Sequence, residues 1–286
     1  MTFFDNEDLL LIDLNNTLSR ALAVNKHLSY KGNITGGLYG FIMMLSSTIN
    51  FTLPKNIIVC DDKKPYFRED VYSKYKKDRI KNEEDEGFYE ALSHNKEKVE
   101  DLLALMNIPI IKASGLEADD FIAHFTQRFS SQFDKIICLS NDSDLLSLMN
   151  YDNFYIYKRK GAKTYLYGRK LFDSDYYPVT PETWLTYTAL VGSHNGFPGI
   201  KGIGPVTAKK ILSDPSQLAD ILAKYKQHFK EAEKVLTLPY PDMVYNAPDS
   251  EVLVKHKVQQ TAIDRLLATS GIMVTNNMTD AFNLYR

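Results

Sequence analysis

Three short apolar runs, each followed by acidic residues, constrain this chain more than any other feature. Leu9-Leu10-Leu11-Ile12 ends at Asp13, Ile57-Ile58-Val59-Cys60 at Asp61-Asp62, and Ile136-Ile137-Cys138-Leu139 runs on to Asp142-Ser143-Asp144. Runs this short and this uniformly apolar read as strands of a parallel sheet, buried on both faces. Stretches of helical spacing lie between them: Thr17–Val24, Leu38–Ile49, Phe88–Met106, and a segment opening at Glu117-Ala118-Asp119-Asp120 with Phe121, Ile122, Phe125 and Phe129 on one face. Leu145–Met149 looks like a helix start. Ile108–Ile111 reads as another strand, and Phe154–Tyr157 with Thr164–Tyr167 as an edge hairpin around Lys160-Gly161-Ala162. The fold class is therefore α/β, a central, mainly parallel sheet flanked by helices. A chain of 286 residues, 44% hydrophobic, can form one large or two modest domains. We expect an α/β core over 1–179, with a helical arch about 63–105, and a helical region over 180–286.

Parallel strands present all their carboxyl ends at one edge, where open α/β sheets bind ligands. Asp13, Asp61 and Asp142 thus share a rim that Glu117, Asp119 and Asp120 can reach from a helix first turn; Asp62 and Asp144 make eight acids. Singly, each has an ordinary explanation as a helix cap or a dipole-favoured acid. Together they repel unless cations sit between them. Oxygen donors without His or Cys favour Mg2+ or Mn2+ over zinc.

Residues 63–81 break the α/β rhythm. Lys63, Lys64, Arg68, Lys74, Lys76, Lys77, Arg79 and Lys81 outnumber Glu69, Asp70 and Asp78, with Tyr66, Phe67, Tyr72 and Tyr75 interleaved. Phosphate contact with base stacking requires this combination, although a solvated charged helix also carries one. The acidic run Glu83–Glu86 bounds the patch, and a net charge of −2 excludes a uniformly basic coat. Cys60 and Cys138 read as reduced core thiols, as in a cytosolic protein. Asp5, Glu7 and Asp8 precede the first apolar run, which argues against a signal peptide. No stretch approaches the ~18 apolar residues of a membrane span.

Thr180-Pro181-Glu182 starts a helix through Trp184–Val191. Gly199-Ile200-Lys201-Gly202-Ile203-Gly204-Pro205 then fits a tight hairpin between helices. Its glycines let backbone N–H groups approach a phosphate, and the next helix, with Lys209 and Lys210, aims its positive end at the same point. Further helices are expected near Gln217–Phe229 and Glu251–Thr269. A carboxylate-held cation beside a Lys/Arg/Tyr patch suits phosphodiester hydrolysis.

In this order, Asp13 with Arg20 after it, Asp61, Tyr75-Lys76-Lys77-Asp78-Arg79, Glu117-Ala118-Asp119-Asp120, Asp142-Ser143-Asp144 and the hairpin over Gly199–Leu212 resemble the 5′-nuclease (flap endonuclease) family. The likeness is to its phage replication members, including those of ribonuclease H type. It implies a PIN-like core and a Mg2+-dependent 5′→3′ exonuclease and flap endonuclease acting on 5′ ends, flaps and RNA primers in replication. It implies that Asp13, Asp61, Glu117, Asp119 or Asp120, and Asp142 hold a first metal, with Asp144 leaning toward a second. Lys76 would meet the scissile phosphate, with Tyr75 and Arg79 nearby. Arg20, Gly199, Lys201, Gly202, Gly204, Lys209 and Lys210 would bind nucleic acid, with K+ on the hairpin carbonyls. DNA with 5′ flaps or RNA–DNA ends is the implied partner, and replication proteins such as a single-stranded DNA-binding protein are further candidates. A monomer in the cytoplasm of a bacterial or phage-infected cell is expected. One departure stands out: the family's Gly-Asp-x-x-Asp-Asn reads Val191-Gly192-Ser193-His194-Asn195-Gly196 here. Gly192 offers no side chain and Asn195 only a neutral oxygen, so a second metal site is expected to be weak. A branched-DNA binding protein of the same fold with little hydrolysis is the alternative. A phosphatase-like enzyme built on Asp142 is disfavoured by the hairpin and the basic segment.

Overall fold

The computed structural model describes residues 7–73, 75, 76, 83–193, 196–241 and 243–285. Along the chain the strands are β1 (Asp8–Asp13), β2 (Ser29–Tyr30), β3 (Asn33–Ile34), β4 (Asn56–Cys60), β5 (Ile110–Ile111), β6 (Lys135–Leu139), β7 (Phe154–Lys160) and β8 (Lys163–Tyr167). Six of them form one sheet in the order β5-β4-β1-β6-β7-β8, while β2 and β3 make a separate small hairpin. β1 lies parallel to β4 and β6, with Asp13 opposite Cys60 and Ile12 opposite Leu139. Only β8, the edge strand of that sheet, runs antiparallel to its neighbour.

Both faces of β1 are covered, and this is why its sequence does not alternate. Leu9 and Leu11 enter one core, with Phe121, Phe125 and Phe129 of α5 (Ala118–Phe129). Leu10 and Ile12 enter the other, with residues of α1 (Leu14–Asn25), α2 (Gly36–Thr52) and α4 (Glu83–Leu105). Each fully buried Leu, Ile or Phe contributes about 1.5–3 kcal/mol, so β1 alone anchors both layers. The chain beyond residue 180 joins the same layers. Trp184 and Leu190 of α7 (Trp184–Val191) and Ala208 and Ile211 of α8 (Pro205–Ser213) pack with α5. On the opposite face, Ile263 and Leu267 of α12 (Gln260–Thr269) and Met278 and Phe282 of α13 (Asn276–Asn283) pack with α2 and α4.

Several boundaries differ from the sequence reading. α1 begins at Leu14, because the Asn16 N–H donates to Asp13 Oδ1 at 3.0 Å and so caps the helix directly on the strand end. α4 begins at Glu83, ahead of the expected start at Phe88. After β6 the chain forms a 3-10 turn over Asp144–Asn150, not an α-helix. The helix expected near Gln217–Phe229 is two, α9 (Pro215–Lys224) and α10 (Lys226–Leu236), broken at Tyr225 with φ −112° and ψ 30°. The one expected over Glu251–Thr269 is a short turn, α11 (Asp249–Val252), followed by irregular chain and α12. Here the Ile57 N–H donates to His256 Nε2 at 2.8 Å, tying this chain to the start of β4. α6 (Arg169–Tyr176) and α13 lie where no helix was expected. The remaining element, α3 (Phe67–Val71), falls within the basic segment. No helix among the described residues is long and apolar enough to cross a membrane, and both cysteines are buried free thiols.

Candidate active site

Four carboxylates from four parts of the chain meet at the carboxyl edge of the sheet. Asp13 at the end of β1, Asp62 just past β4, Asp119 in the first turn of α5 and Asp142 after β6 line a cleft of about 290 Å³, with Asn15, Arg20, Lys76, Phe88 and Tyr89. Short local bonds hold the acids in place. Ser140 Oγ donates to Asp13 Oδ2 at 3.0 Å, the Asp142 N–H donates to Ser140 Oγ at 3.1 Å, and the Asp144 N–H donates to Asp142 Oδ1 at 2.9 Å. Asp62 accepts from the Ala118 N–H at 2.8 Å and from Tyr66 Oη at 3.2 Å.

The surroundings of Asp13, Asp119 and Asp62 push their pKa values in different directions. Burial and then the Asp62 and Asp142 charges push Asp13 up to about 7, against the opposing Asn16 N–H. Burial, then Asp142 and Asp13, hold Asp119 well above the usual carboxylate range. Burial works in the same sense on Asp62, but Lys76 and the donors Ala118, Asn15 and Tyr66 outweigh it and hold its pKa low. Asp119 Oδ1 is buried without a hydrogen-bond partner. Facing carboxylates with raised pKa values and an orphaned buried oxygen have the chemistry that a cation would satisfy.

The donor set therefore fits a divalent cation. Among the described residues no three acids, histidines or cysteines form a ready-made metal cage. Mg2+ does not need one: it keeps several waters and uses one or two carboxylates plus substrate phosphate.

Not all the expected residues face this cleft. Asp61 is turned away: Lys96 Nζ donates to its Oδ1 at 2.6 Å, and Lys112 Nζ lies 3.7 Å from its Oδ2. Asp62 occupies the place Asp61 was expected to hold. The doubled Asp-Asp was the visible signal, but it did not say which of the pair turns inward. Asp120 is fully buried against Arg68, whose Nη1 and Nη2 donate to its two oxygens at 2.7 Å each, and it closes a capping box with Glu117. Asp144 lines a neighbouring cavity, with Trp184 and Thr188, and not the four-carboxylate cleft. Glu117 sits beside the cleft, held by Arg68, Tyr75 and Lys76. Arg68 Nη1 donates to Glu117 Oε2 at 3.0 Å, Tyr75 Oη to the same oxygen at 2.9 Å, and Lys76 pairs with Oε1. Burial and then the Glu117 charge raise the Tyr75 phenol well above its ordinary range. Lys76 lies over the Tyr66 and Tyr75 rings and has φ of +53°, a conformation that non-glycine residues rarely adopt outside special sites. Arg20 faces the cleft, its pKa lowered by burial against the opposing pull of Asp13. Arg79 and Asn195, with His194, lie outside the described residues.

Between α7 and α8 the chain makes a tight turn. Gly192 has φ of +95°, and a Cβ there would stand 2.9 Å from the Gly199 nitrogen; at Gly199 a Cβ would stand 2.4 Å from the Val191 carbonyl carbon. Both glycines are accounted for by this close backbone approach. Lys201, Gly202, Gly204 and Lys210 are exposed around the turn. Lys209 folds back, donating to the Asp175 carbonyl at 3.2 Å and lying over the Tyr176 ring.

A parallel sheet with a carboxylate rim and a lysine at its mouth defines a phosphodiester-cleaving nuclease. The chain belongs to the 5′-3′ exonuclease family: residues 8–176 match the family's N-terminal resolvase-like domain. The 5′-3′ exonuclease of Aquifex aeolicus is 32% identical over 209 residues, 71% of this chain and 69% of that protein. DNA polymerase I of Thermus aquaticus is 31% identical over 80% of this chain, which spans only 26% of the polymerase. Among solved structures, bacteriophage T5 5′-exonuclease with bound divalent metal (zinc) superposes with a TM-score of 0.68 at 17% identity, covering 98% of this chain and 100% of that one. Flap endonuclease-1 of Methanococcus jannaschii superposes at 0.66 and 17% identity, covering 98% and 92%. These two share the fold.

Proposed function

We propose that the chain is a divalent-cation-dependent 5′-nuclease that removes 5′ flaps and RNA primers in DNA replication, as exonuclease and as flap endonuclease. The observation that carries this reading is the cleft in which Asp13, Asp62, Asp119 and Asp142 face one another beside Lys76 and Arg20. The likeness to a 5′-3′ exonuclease and to part of DNA polymerase I supports the replication setting.

Asp13, Asp62, Asp119 and Asp142 would hold Mg2+ or Mn2+, with Glu117 joining if Lys76 leaves it. Bound there, the cation supplies a water of lowered pKa and offsets charge at the reacting phosphate. The protein's own groups do the rest. Lys76 exchanges its Glu117 partner for the scissile phosphate, and Tyr75 and Arg68 keep Glu117 in place meanwhile. Phe88 and Tyr89 on the cleft wall offer faces for an unpaired base. The turn through Gly202 and Gly204, with Lys201 and Lys210, suits a duplex backbone, and its carbonyls suit K+. Residues 180–286 would thus carry the duplex-binding surface. A second divalent site would be weak. The backbone at Gly192 leaves no room for a side chain, and Asp144 faces a different cavity.

Those two features also support a second reading, a branched-DNA binding protein with little hydrolysis. Incubating a 5′-flap DNA with the protein across Mg2+ and Mn2+ concentrations separates the two. Metal-dependent cleavage, abolished by Asp142→Ala, is the expected outcome. A full gel shift with no cleavage at any metal concentration would establish the binding protein instead.

A further inference from the structure

Between β1 and β6 the backbone ladder stops short of the acids. Its last rung sets Ile12 opposite Leu139, and Asp13 and Asp142 lie beyond it. Side chains take over there. Thr17 Oγ1 donates to the Leu139 carbonyl at 3.0 Å, Ser140 Oγ to Asp13 Oδ2 at 3.0 Å, and the Asn141 N–H to Asn16 Oδ1 at 3.1 Å. Leu139, Ser140 and Asn141 are thus each tied to the turn from β1 into α1. Thr17 and Ser140 are fully buried, so water does not compete for their bonds.

Of these three bonds only that of Ser140 reaches a carboxylate. The Asp142 N–H can only donate, so the Ser140 oxygen accepts it, at 3.1 Å. An ionised Asp13, the form that binds a cation, can only accept, so the hydroxyl gives it its single hydrogen. One buried oxygen therefore joins the side chain of the acid that ends β1 to the main chain of the acid that follows β6. Each end is held a second time. Asp13 Oδ1 accepts from the Asn16 N–H at 3.0 Å, and Asp142 Oδ1 from the Asp144 N–H at 2.9 Å. The two like charges repel each other, and this clasp opposes their separation.

We infer that Ser140 is a positioning residue for the proposed cation: its hydroxyl replaces the missing rung where β1 and β6 part, and it sets the spacing of Asp13 and Asp142 so that both reach one ion. Ser140 itself touches neither ion nor substrate and acts through the two acids. Hydrogen-bond partners behind metal ligands typically contribute about 10–100-fold in affinity. Thr17 makes an equally buried bond in the same gap but meets no acid, so it separates positioning from general support. The inference rests on the nuclease reading above, through its four-carboxylate cation site.

Mn2+ binding without DNA tests it, read by electron paramagnetic resonance on the wild type, Ser140→Ala, Ser140→Cys and Thr17→Val, with a urea midpoint for each. Ser140→Ala should weaken Mn2+ binding by ~10-fold or more. Ser140→Cys, close in shape but a weak hydrogen-bonding group, should weaken it in the same way, and it carries the test if the alanine variant does not fold. Thr17→Val should lower the urea midpoint yet keep Mn2+ affinity within ~3-fold of wild type, because the acids keep their partners. On flap DNA, Ser140→Ala should need ~10-fold more Mn2+ for half-maximal cleavage and regain most of the wild-type rate at saturating Mn2+. Wild-type Mn2+ affinity in the folded Ser140 variants would overturn the clasp. Equal weakening in Thr17→Val would overturn it too, leaving Ser140 a packing role alone. A wild type that binds Mn2+ but never cuts would count against the nuclease reading, while the clasp would still stand or fall on the affinities. A wild type that binds no Mn2+ would overturn the cation site and the clasp together.

Discussion

Lys96 donates to Asp61, while Asp62, one residue on, accepts from the Ala118 N–H and faces the cleft. The two aspartates should therefore respond differently to loss of charge. Asp62→Asn should lower single-turnover cleavage by ~100-fold or more, the scale of a lost transition-state contact. Asp61→Asn should leave cleavage within about threefold and lower the unfolding free energy by about 1–3 kcal/mol, because Lys96 loses its counter-charge, while Lys112 keeps Glu100 at 3.0 Å. Urea titration reads the second effect. Asp13 gives a pH signature. Its carboxyl is pushed from 3.8 to about 7, so between those values the native state keeps a proton that the unfolded chain has released. Its contribution to stability is therefore full at low pH and falls as pH rises toward 7. Metal-free protein should lose on the order of 1–3 kcal/mol from this group between pH 4 and 8. Asp13→Asn should flatten that slope, and saturating Mg2+ should remove it, as cation binding displaces the proton. Denaturant titrations at several pH values in EDTA and in Mg2+ check this. For these residues the sequence showed that acids close the strands. It could not show which of Asp61 and Asp62 turns inward. That depends on the Asp61 N–H continuing the ladder to the Ile111 carbonyl, a partner 50 residues away in another strand.

Arg68 joins elements that are far apart in the chain. From α3 it reaches Glu117 and Asp120 at the start of α5, and its Nε and Nη2 donate to the Val235 and Thr237 carbonyls at the end of α10, at 2.8 and 3.1 Å. The Tyr240 N–H donates to Asp120 on the same side. Arg68→Ala would leave buried carboxylates uncompensated, and it should lower stability by about 3–5 kcal/mol. Arg68→Lys should restore little of this, having no planar fork. A urea midpoint unchanged in Arg68→Ala would show that the cluster is not structural. This knot explains why Asp120 looked like a ligand in the sequence, since nothing local reveals a guanidinium 52 residues upstream. The strands were legible because both faces of β1 are buried, which turns alternation into an apolar run. The break between α9 and α10 was not, because α9 buries no residue fully and α10 only Ala232 and Val235, so their ends leave little hydrophobic imprint.

Across the whole molecule, sheet order explains the place of the cleft. From β1 the chain proceeds outward to β4 and β5, then returns past β1 to β6, β7 and β8. The connections diverge between β1 and β6, and Asp13 and Asp142 stand on either side of that switch point, where open α/β sheets leave a crevice. A shared rim was legible from three strands closed by acids; the order of the strands was not, because it is set by long-range pairing. The same geometry separates Asp144 from the four carboxylates and makes the proposed cation site unequal. A Mn2+ titration followed by electron paramagnetic resonance counts the ions directly. One tight Mn2+ per chain is expected, lost in Asp62→Asn and Asp119→Asn and kept in Asp144→Asn. Two equally tight ions, or a tight ion that survives Asp119→Asn, would contradict a single site built on the four facing carboxylates.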